Sequence, residues 1–465
     1  MILKAIPFLA ICIIGANGAV AQTRNEFSLQ QTVDYGIKNA TQVKNALLDI
    51  KIQKQTNREI TALALPQING SISSTHYLNI PVQSIPNFIS PATYGVLVDE
   101  GVKDGNGNPI TMPNGGNFGN LALAFGVPWV ASGGIDVSQI LFDGQVFVGL
   151  QARDAAMELS RKTAEVTAEQ IKANIHKIYY QLLVGQKQMG SIDANIERFE
   201  KLLNDTKQIY QNGFAEKLDV DKVQVQLNNL KTEKLKIQNQ LTVGNAGLKF
   251  LINMPQKEEL ILTDSITEDV LKQNILDENY TYNDRKDIQL LTVANKLNGY
   301  NVKRYELSRI PSIVAFGSYS KNAQRTKFDF FNKGDWFTTA LIGVKINVPI
   351  FDGFARRSKI ESAKLSLQKS TNTLEQTKSM MDYEVAQARF NMKSAILTVD
   401  NQQQNIKLAE QVYNTTKKKY EQGLGSNQEI YNAQTELKVA QNNYYSALYD
   451  AITAKIDYLK ATGKL

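Results

Sequence analysis

Two histidines, His76 and His176, and one cysteine, Cys12, supply all the imidazole and thiol in this chain of 465 residues. Metal binding and nucleophilic catalysis need such groups clustered, each oriented by a neighbour. The spacing offers no cluster. His76 falls in a strand pattern, and His176 falls in a helical one beside Ile175, where it packs or meets solvent. There is no G-x-S-x-G, no glycine-rich phosphate loop before a helix and no His/Asp/Glu ligand set. Asp104-Gly105-Asn106-Gly107 has the composition of a turn and follows no convincing strand. The sequence therefore implies no enzyme and no cofactor. Its charges can attract or repel ions without making bonds.

The elements that carry those charges begin after a leader. Lys4 precedes an apolar run from Ala5 to Ile14, and Ala19-Val20-Ala21 before Gln22 fits a cleavage site, so residues 1–21 read as a signal peptide. An uncleaved anchor is the alternative. Cleavage removes Cys12, which leaves no thiol for a disulfide, a metal or an acyl chain. The net charge of +7 includes Lys4, so the mature chain carries one charge fewer. Basic and acidic residues alternate along helix faces, the pattern of a solvated surface rather than a nucleic-acid partner. No later stretch is apolar enough for a transmembrane helix. Residence in a membrane would require a β-barrel.

The chain repeats itself. Leu65-Pro66-Gln67-Ile68 matches Ile310-Pro311-Ser312-Ile313, Leu141-Phe142-Asp143-Gly144 matches Ile350-Phe351-Asp352-Gly353, and Tyr210-Gln211-Asn212-Gly213-Phe214 matches Tyr420-Glu421-Gln422-Gly423-Leu424. The last two pairs are offset by about 210 residues, and the proline pair by more, so the first copy holds a longer loop. The boundaries follow: a first repeat over 22–254, a connecting segment over 255–283 and a second repeat over 284–465.

Each copy has the same order. A helix, opened in copy one by the capping-box pattern Ser28-Leu29-Gln30-Gln31, ends before Pro66, and its counterpart ends before Pro311. Two strands follow each proline. Ala340, Ile342, Val344, Ile346 and Val348 share one face, with Thr339, Leu341, Gly343, Lys345 and Asn347 on the other; Val127, Trp129, Ala131, Gly133, Ile135 and Val137 alternate likewise against Ser132, Gly134, Asp136 and Ser138. A barrel wall between lipid and water needs this alternation. The Gly-, Asn- and Pro-rich stretch from Leu78 to Asn120 reads as an exposed external loop.

Two proline-free stretches of about 70 residues come next, each roughly 100 Å long as one helix. Ile171, Ile175, Ile178, Leu182, Gly185, Met189, Ile192, Ile196, Phe199 and Leu203 step by threes and fours. Val385, Ala388, Met392, Ala395, Val399, Ile406, Ala409 and Tyr413 do the same, with Gln402 as a polar member between Val399 and Ile406. The 3.5-residue period is that of helices packed lengthwise. Gly213 and Gly423 turn the chain back into return helices with seams of their own. Four strands cannot close a barrel, so several chains must combine.

These features, taken in order, resemble the TolC-like outer-membrane efflux protein family over essentially the whole mature chain: the duplication, the proline-led strands at Pro66 and Pro311, Phe-Asp-Gly before each long helix, and the glycine turns. The fold class is then a mixed membrane β-barrel plus an all-α coiled-coil tunnel. The resemblance implies a homotrimer with a twelve-stranded barrel in outer-membrane lipid and a helical tunnel extending into the periplasm. It implies docking to a periplasmic membrane-fusion adaptor and an inner-membrane pump of RND or ABC type. Gly213, Phe214, Gly423 and Leu424 would form the tip that contacts the adaptor. Asp219, Tyr420, Glu429 and Asn432 match the family's periplasmic gate positions, the last as an amide. Gly425 stands where some members carry an arginine that bonds across the turn. Read from the residues alone, Asp219 and Glu429 are also candidates for helix capping or for solvated charges near a helix start. A coiled-coil surface protein and a general diffusion porin are the alternative functions. The first gives no reason for amphipathic strands in both copies, and the second has no use for such long helices.

Overall fold

The computed structural model describes residues 24–266, 280–332 and 334–465. The expected signal peptide lies outside them, as does part of the connecting segment. Copy one runs β1 (Arg24–Phe27), α1 (Leu29–Asn39), α2 (Thr41–Ala62), β2 (Gln67–His76), β3 (Val82–Pro86), α3 (Ile89–Asp99), β4 (Asn120–Ala124), β5 (Trp129–Phe142), α4 (Gly144–Gln211) and α5 (Lys217–Leu251). After β6 (Glu259–Leu262), copy two runs α6 (Lys286–Leu307), β7 (Ser312–Arg325), β8 (Phe337–Asn347), α7 (Ala355–Glu421) and α8 (Asn427–Ala461). Two compact units result, and each draws on both copies. One holds residues up to Gln55, Arg153–Gly299 and Lys364–Leu465, and the other holds Thr56–Ala152 and Tyr300–Ala363.

In the second of these units, four antiparallel strands pair in the order β2-β5-β7-β8. Their register sorts side chains by chemistry across the whole sheet. One face carries Ile68, Val137, Gly317 and Ile342 in one row and Gly70, Ile135, Tyr319 and Ala340 in the next. The other face carries Ser73, Ser132, Asn322 and Phe337, then Asn69, Asp136, Ser318 and Leu341. Ser73 and Ser132 share a hydroxyl hydrogen bond of 2.7 Å on this polar face. The aliphatic face is uncovered: Ile342 is 91% exposed, and Val344 and Ile346 are also exposed. Both outer strands, β2 and β8, keep one backbone edge free in the sheet.

The stretch expected as a plain loop has structure of its own. Val82–Pro86 pairs antiparallel with Asn120–Ala124, and α3 lies between them in sequence. Ile85 with Leu121 and Leu123 on one face, and Val82 on the other, supply strand character that the surrounding glycines mask in composition. Asn87 Oδ1 accepts from Ser90 N–H at 3.0 Å and so caps the helix.

In the other unit, α1 opens as expected. Ser28 Oγ accepts from Gln31 N–H at 3.3 Å, and Gln31 Oε1 accepts from Ser28 N–H at 2.8 Å. The single first helix of the sequence reading is two helices, broken at Ala40. Asn253 Nδ2 donates to Asn39 O at 3.2 Å and occupies a carbonyl freed by the break. No proline lies at the break and Gly36, a turn before it, is helical, so a tertiary contact supports what local sequence does not announce.

The long helices are those the spacing predicts, and their seams are buried. Ile171, Ile175, Ile192 and Phe199 on α4 are at most 1% exposed. One apolar cluster joins all four: Phe199 and Leu202 of α4, Leu227 and Leu230 of α5, Tyr413 of α7, Ile430 and Leu437 of α8. Each large side chain so buried contributes roughly 1.5–3 kcal/mol. A second cluster joins Val184 of α4, Val399 of α7 and Leu448 to Ile456 of α8. Between the two lies a polar layer, in which buried Asn195 donates from Nδ2 to buried Gln441 Oε1 at 2.8 Å. No helix among the described residues is long and apolar enough to cross a membrane.

Candidate functional site at the hairpin turns

The two hairpin turns are copies of one structure. At the end of α4, Phe214 N–H donates to Ile209 O at 3.0 Å and Gly213 N–H to Tyr210 O at 3.0 Å. At the end of α7, Leu424 N–H donates to Lys419 O at 2.9 Å and Gly423 N–H to Tyr420 O at 3.0 Å. This paired pattern closes a helix through one left-handed residue. Gly213 has φ 81° and Gly423 has φ 72°, a region that costs a side chain about 1–2 kcal/mol. Phe214 is 86% exposed and Leu424 78%, so each turn ends in a bare apolar side chain.

The acids follow at equivalent places. Glu216 caps α5 and Ser426 caps α8, and Asp219 and Glu429 each stand three residues on. Asp219 Oδ2 accepts from Glu216 N–H at 3.3 Å in a reciprocal capping box. Glu429 N–H donates to Ser426 Oγ at 3.2 Å, and the Glu429 side chain is exposed. Asn432 is exposed and accepts from Gln428 Nε2 at 2.8 Å. At Glu429 a backbone cap and an exposed carboxylate thus coexist, while Asp219 is half-buried.

Tyr420 differs from the other three. It packs against the four-helix cluster, its hydroxyl oxygen buried beside Thr206. Burial pushes its hydroxyl above the usual phenol range, and Asp205 and Asp219 add to the shift. The structure brings the two turns together through contacts that sequence reasoning missed. Thr206 Oγ1 lies 3.0 Å from Asn427 Oδ1, and Gln226 Nε2 donates to Tyr431 Oη at 2.8 Å. The cap at Glu216 was findable, because the repeat offset places it on Ser426. A cavity of about 690 Å³ opens beside Tyr420, lined by Arg198, Lys201, Asp205, Tyr413 and Gln434 among others.

The family model described as "Outer membrane efflux protein" matches residues 284–464, from α6 through the second turn to the end of α8. Outer membrane protein TolC of Vibrio cholerae is 20% identical over 339 residues, which is 72% of this chain and 77% of that protein. Over its second repeat the chain matches the outer membrane efflux protein family. Its fold is that of solved outer-membrane channels. The outer membrane protein VceC from Vibrio cholerae superposes with a TM-score of 0.69 at 15% identity, over 94% of this chain and 96% of that one. The Campylobacter jejuni CmeC outer membrane channel gives 0.69 at 17% identity, over 99% and 94%. Pro66 and Pro311 stand one residue before β2 and β7. Gly425 N–H donates to Lys419 O at 3.2 Å.

Proposed function

We infer that this protein is the outer-membrane channel of a tripartite efflux or type I secretion system, a passive conduit assembled from three copies. The observation that carries the reading is the sheet: four strands, aliphatic on one face and polar on the other, with both edges free. In lipid, unpaired backbone N–H and C=O groups cost several kcal/mol each, so the edges must pair with other copies. Three chains give a closed twelve-stranded barrel with a polar lumen. The helices support the same assembly. α5 exposes Val225, Leu235, Val243 and Phe250, while α7 exposes Tyr383, Phe390 and Leu397 at heptad spacing. Different apolar rows on two helices suit a head-to-tail contact that closes into a ring.

The glycine turns with Phe214 and Leu424 are the surface offered to a periplasmic adaptor, through which an inner-membrane pump of RND or ABC type would be coupled. Asp219 and Glu429, each present three times, form an acidic gate that favours cations, with Tyr420 and Asn432 beside them. Reconstituted in planar bilayers, the protein is expected to open stepwise cation-preferring conductances. Asp219→Asn with Glu429→Gln lowers that preference and leaves the trimer intact. Membrane insertion without any conductance overturns the conduit, and unchanged selectivity in the double variant removes the gate from these residues.

A further inference from the structure

Along β7 the aliphatic face of the sheet, covered at Ala323 by Phe330, changes character step by step. Ile313, Ala315 and Gly317 give way to Tyr319, then to Lys321, Ala323 and Arg325, every second residue on the same side. The register sets Lys321 between Gly133 of β5 and Thr338 of β8, and sets Arg325 beside Trp129. None of these neighbours is a carboxylate, and Asp136 of β5 lies on the polar face. Lys321 is exposed. Arg325 donates from Nη2 to Asp335 O at 2.9 Å and from Nη1 to Gln324 O at 3.3 Å. Carbonyls hold the guanidinium in place.

Aromatic rings gather at the same end. Trp129 stacks on His76 with centroids 4.2 Å apart and meets Phe328 edge-on at 5.0 Å. Phe328 contacts Phe331 in turn, and Phe331 is 93% exposed. Ala131, Ala323 and buried Phe330 anchor the group to the sheet. Lys327 adds a further exposed cation, against Asp329 and Asp335 in the same loop.

Aliphatic rows, then aromatic rings, then cations follow the chemistry of one membrane leaflet from acyl chain through interface to phosphate. We propose that Lys321 and Arg325, with the Trp129–Phe328–Phe331 rings, bind the headgroup of a phosphorylated glycolipid in the outer leaflet. Four residues of strand separate the cations by about 13 Å, too far to grip one phosphate and suited to two phosphates on one sugar backbone. The rings cover the sugar and the start of the acyl chains, where an apolar body with a polar neighbour is favoured. The site rests on the reading that the aliphatic face meets lipid.

The test mixes the oligomer, in neutral detergent, with diphosphoryl lipid A, with dephosphorylated lipid A, or with inorganic phosphate, and counts bound lipid by native mass spectrometry. Diphosphoryl lipid A is expected to be retained about tenfold better than the dephosphorylated form, and millimolar phosphate is expected not to displace it. Lys321→Gln lowers retention about tenfold, and adding Arg325→Gln abolishes it, with oligomer mass and helicity unchanged. Lys321 is exposed, so its single variant decides the matter even if Arg325→Gln disturbs the loop. Equal retention of both lipid forms, displacement by phosphate alone, or equal retention by the wild type and Lys321→Gln overturns the site. Failure of the underlying reading looks different: the protein would not float with vesicles of uncharged phosphatidylcholine.

Discussion

The return helices α5 and α8 have equal lengths of 35 residues, the same glycine turn before them and the same left-handed end, at Asn253 (φ 56°) and Gly463 (φ 71°). Their surroundings are opposite. α5 buries five positions along its length and α8 buries thirteen. The outgoing helices reverse the pattern: α4 gives Phe199, Leu202 and Leu203 to the cluster to which α7 gives Tyr413, and α7 keeps Tyr383, Phe390 and Leu397 bare. Copy one therefore presents its return helix as an edge, and copy two its outgoing helix. Duplication kept the backbone and let the side chains diverge. An edge that differs from its opposite edge joins head to tail, and a strip of this kind closes on itself only as a ring.

Charging one edge should break that arrangement outright. Phe390→Glu with Leu397→Glu places carboxylates where a neighbouring copy must pack, and the expected outcome is monomers with normal helicity in detergent, read by native mass. A persistent trimer would show that α7 is no edge. Truncation within the seams is next in size. Leu437→Ala on α8, at 1% exposure, is expected to cost about 2–5 kcal/mol in denaturant unfolding. Val225→Ala on α5, measured in the monomer, is expected to stay within about 0.5 kcal/mol. Similar losses at both positions would erase the contrast between buried and edge helix.

The turns should behave alike even though the helices do not. Gly213→Ala and Gly423→Ala each force a side chain into left-handed backbone, and each is expected to cost about 1–2 kcal/mol. A large difference between them would mean that one turn relaxes through contacts the other lacks. The smallest effect concerns pH. Burial, with Lys172 adding to it, pushes His176 on α4 down to about 4, from an ordinary value of 6.5. A folded value below the unfolded one gives stability that is present above pH 6.5 and lost as pH falls from there toward 4. His176→Gln should flatten that slope in denaturant midpoints taken between pH 7 and pH 4.5. Copy two has Ala386 at the equivalent place, so α7 offers no matching titration. An unchanged slope in the variant would place the sensitivity elsewhere.

Much of this fold was legible from spacing alone. Duplication, proline-led strands, glycine turns and 3.5-residue seams are local or periodic signals, and each survives in the structure. The break at Ala40 was not legible, because it is supported by Asn253, more than two hundred residues away. The strands Val82–Pro86 and Asn120–Ala124 were hidden by the glycine-rich stretch between them. Which helix would be an edge was also out of reach, since a seam of period 3.5 looks the same whether its partner is in the same chain or the next one. At the turns, the acids were found from their positions, but not the burial of Tyr420 or the Thr206–Asn427 contact. Both depend on how one hairpin lies against the other.

The Asn195–Gln441 pair has a consequence for alignment. Two long helices with nearly uniform apolar seams can mesh equally well one heptad out of place, as two combs can mesh one tooth over. A buried amide finds its partner in only one setting, and every other setting strands a donor and an acceptor away from water. The pair therefore works as an index mark between α4 and α8. It surrenders some apolar contact, and in return every copy of the chain keys its two hairpins at the same notch.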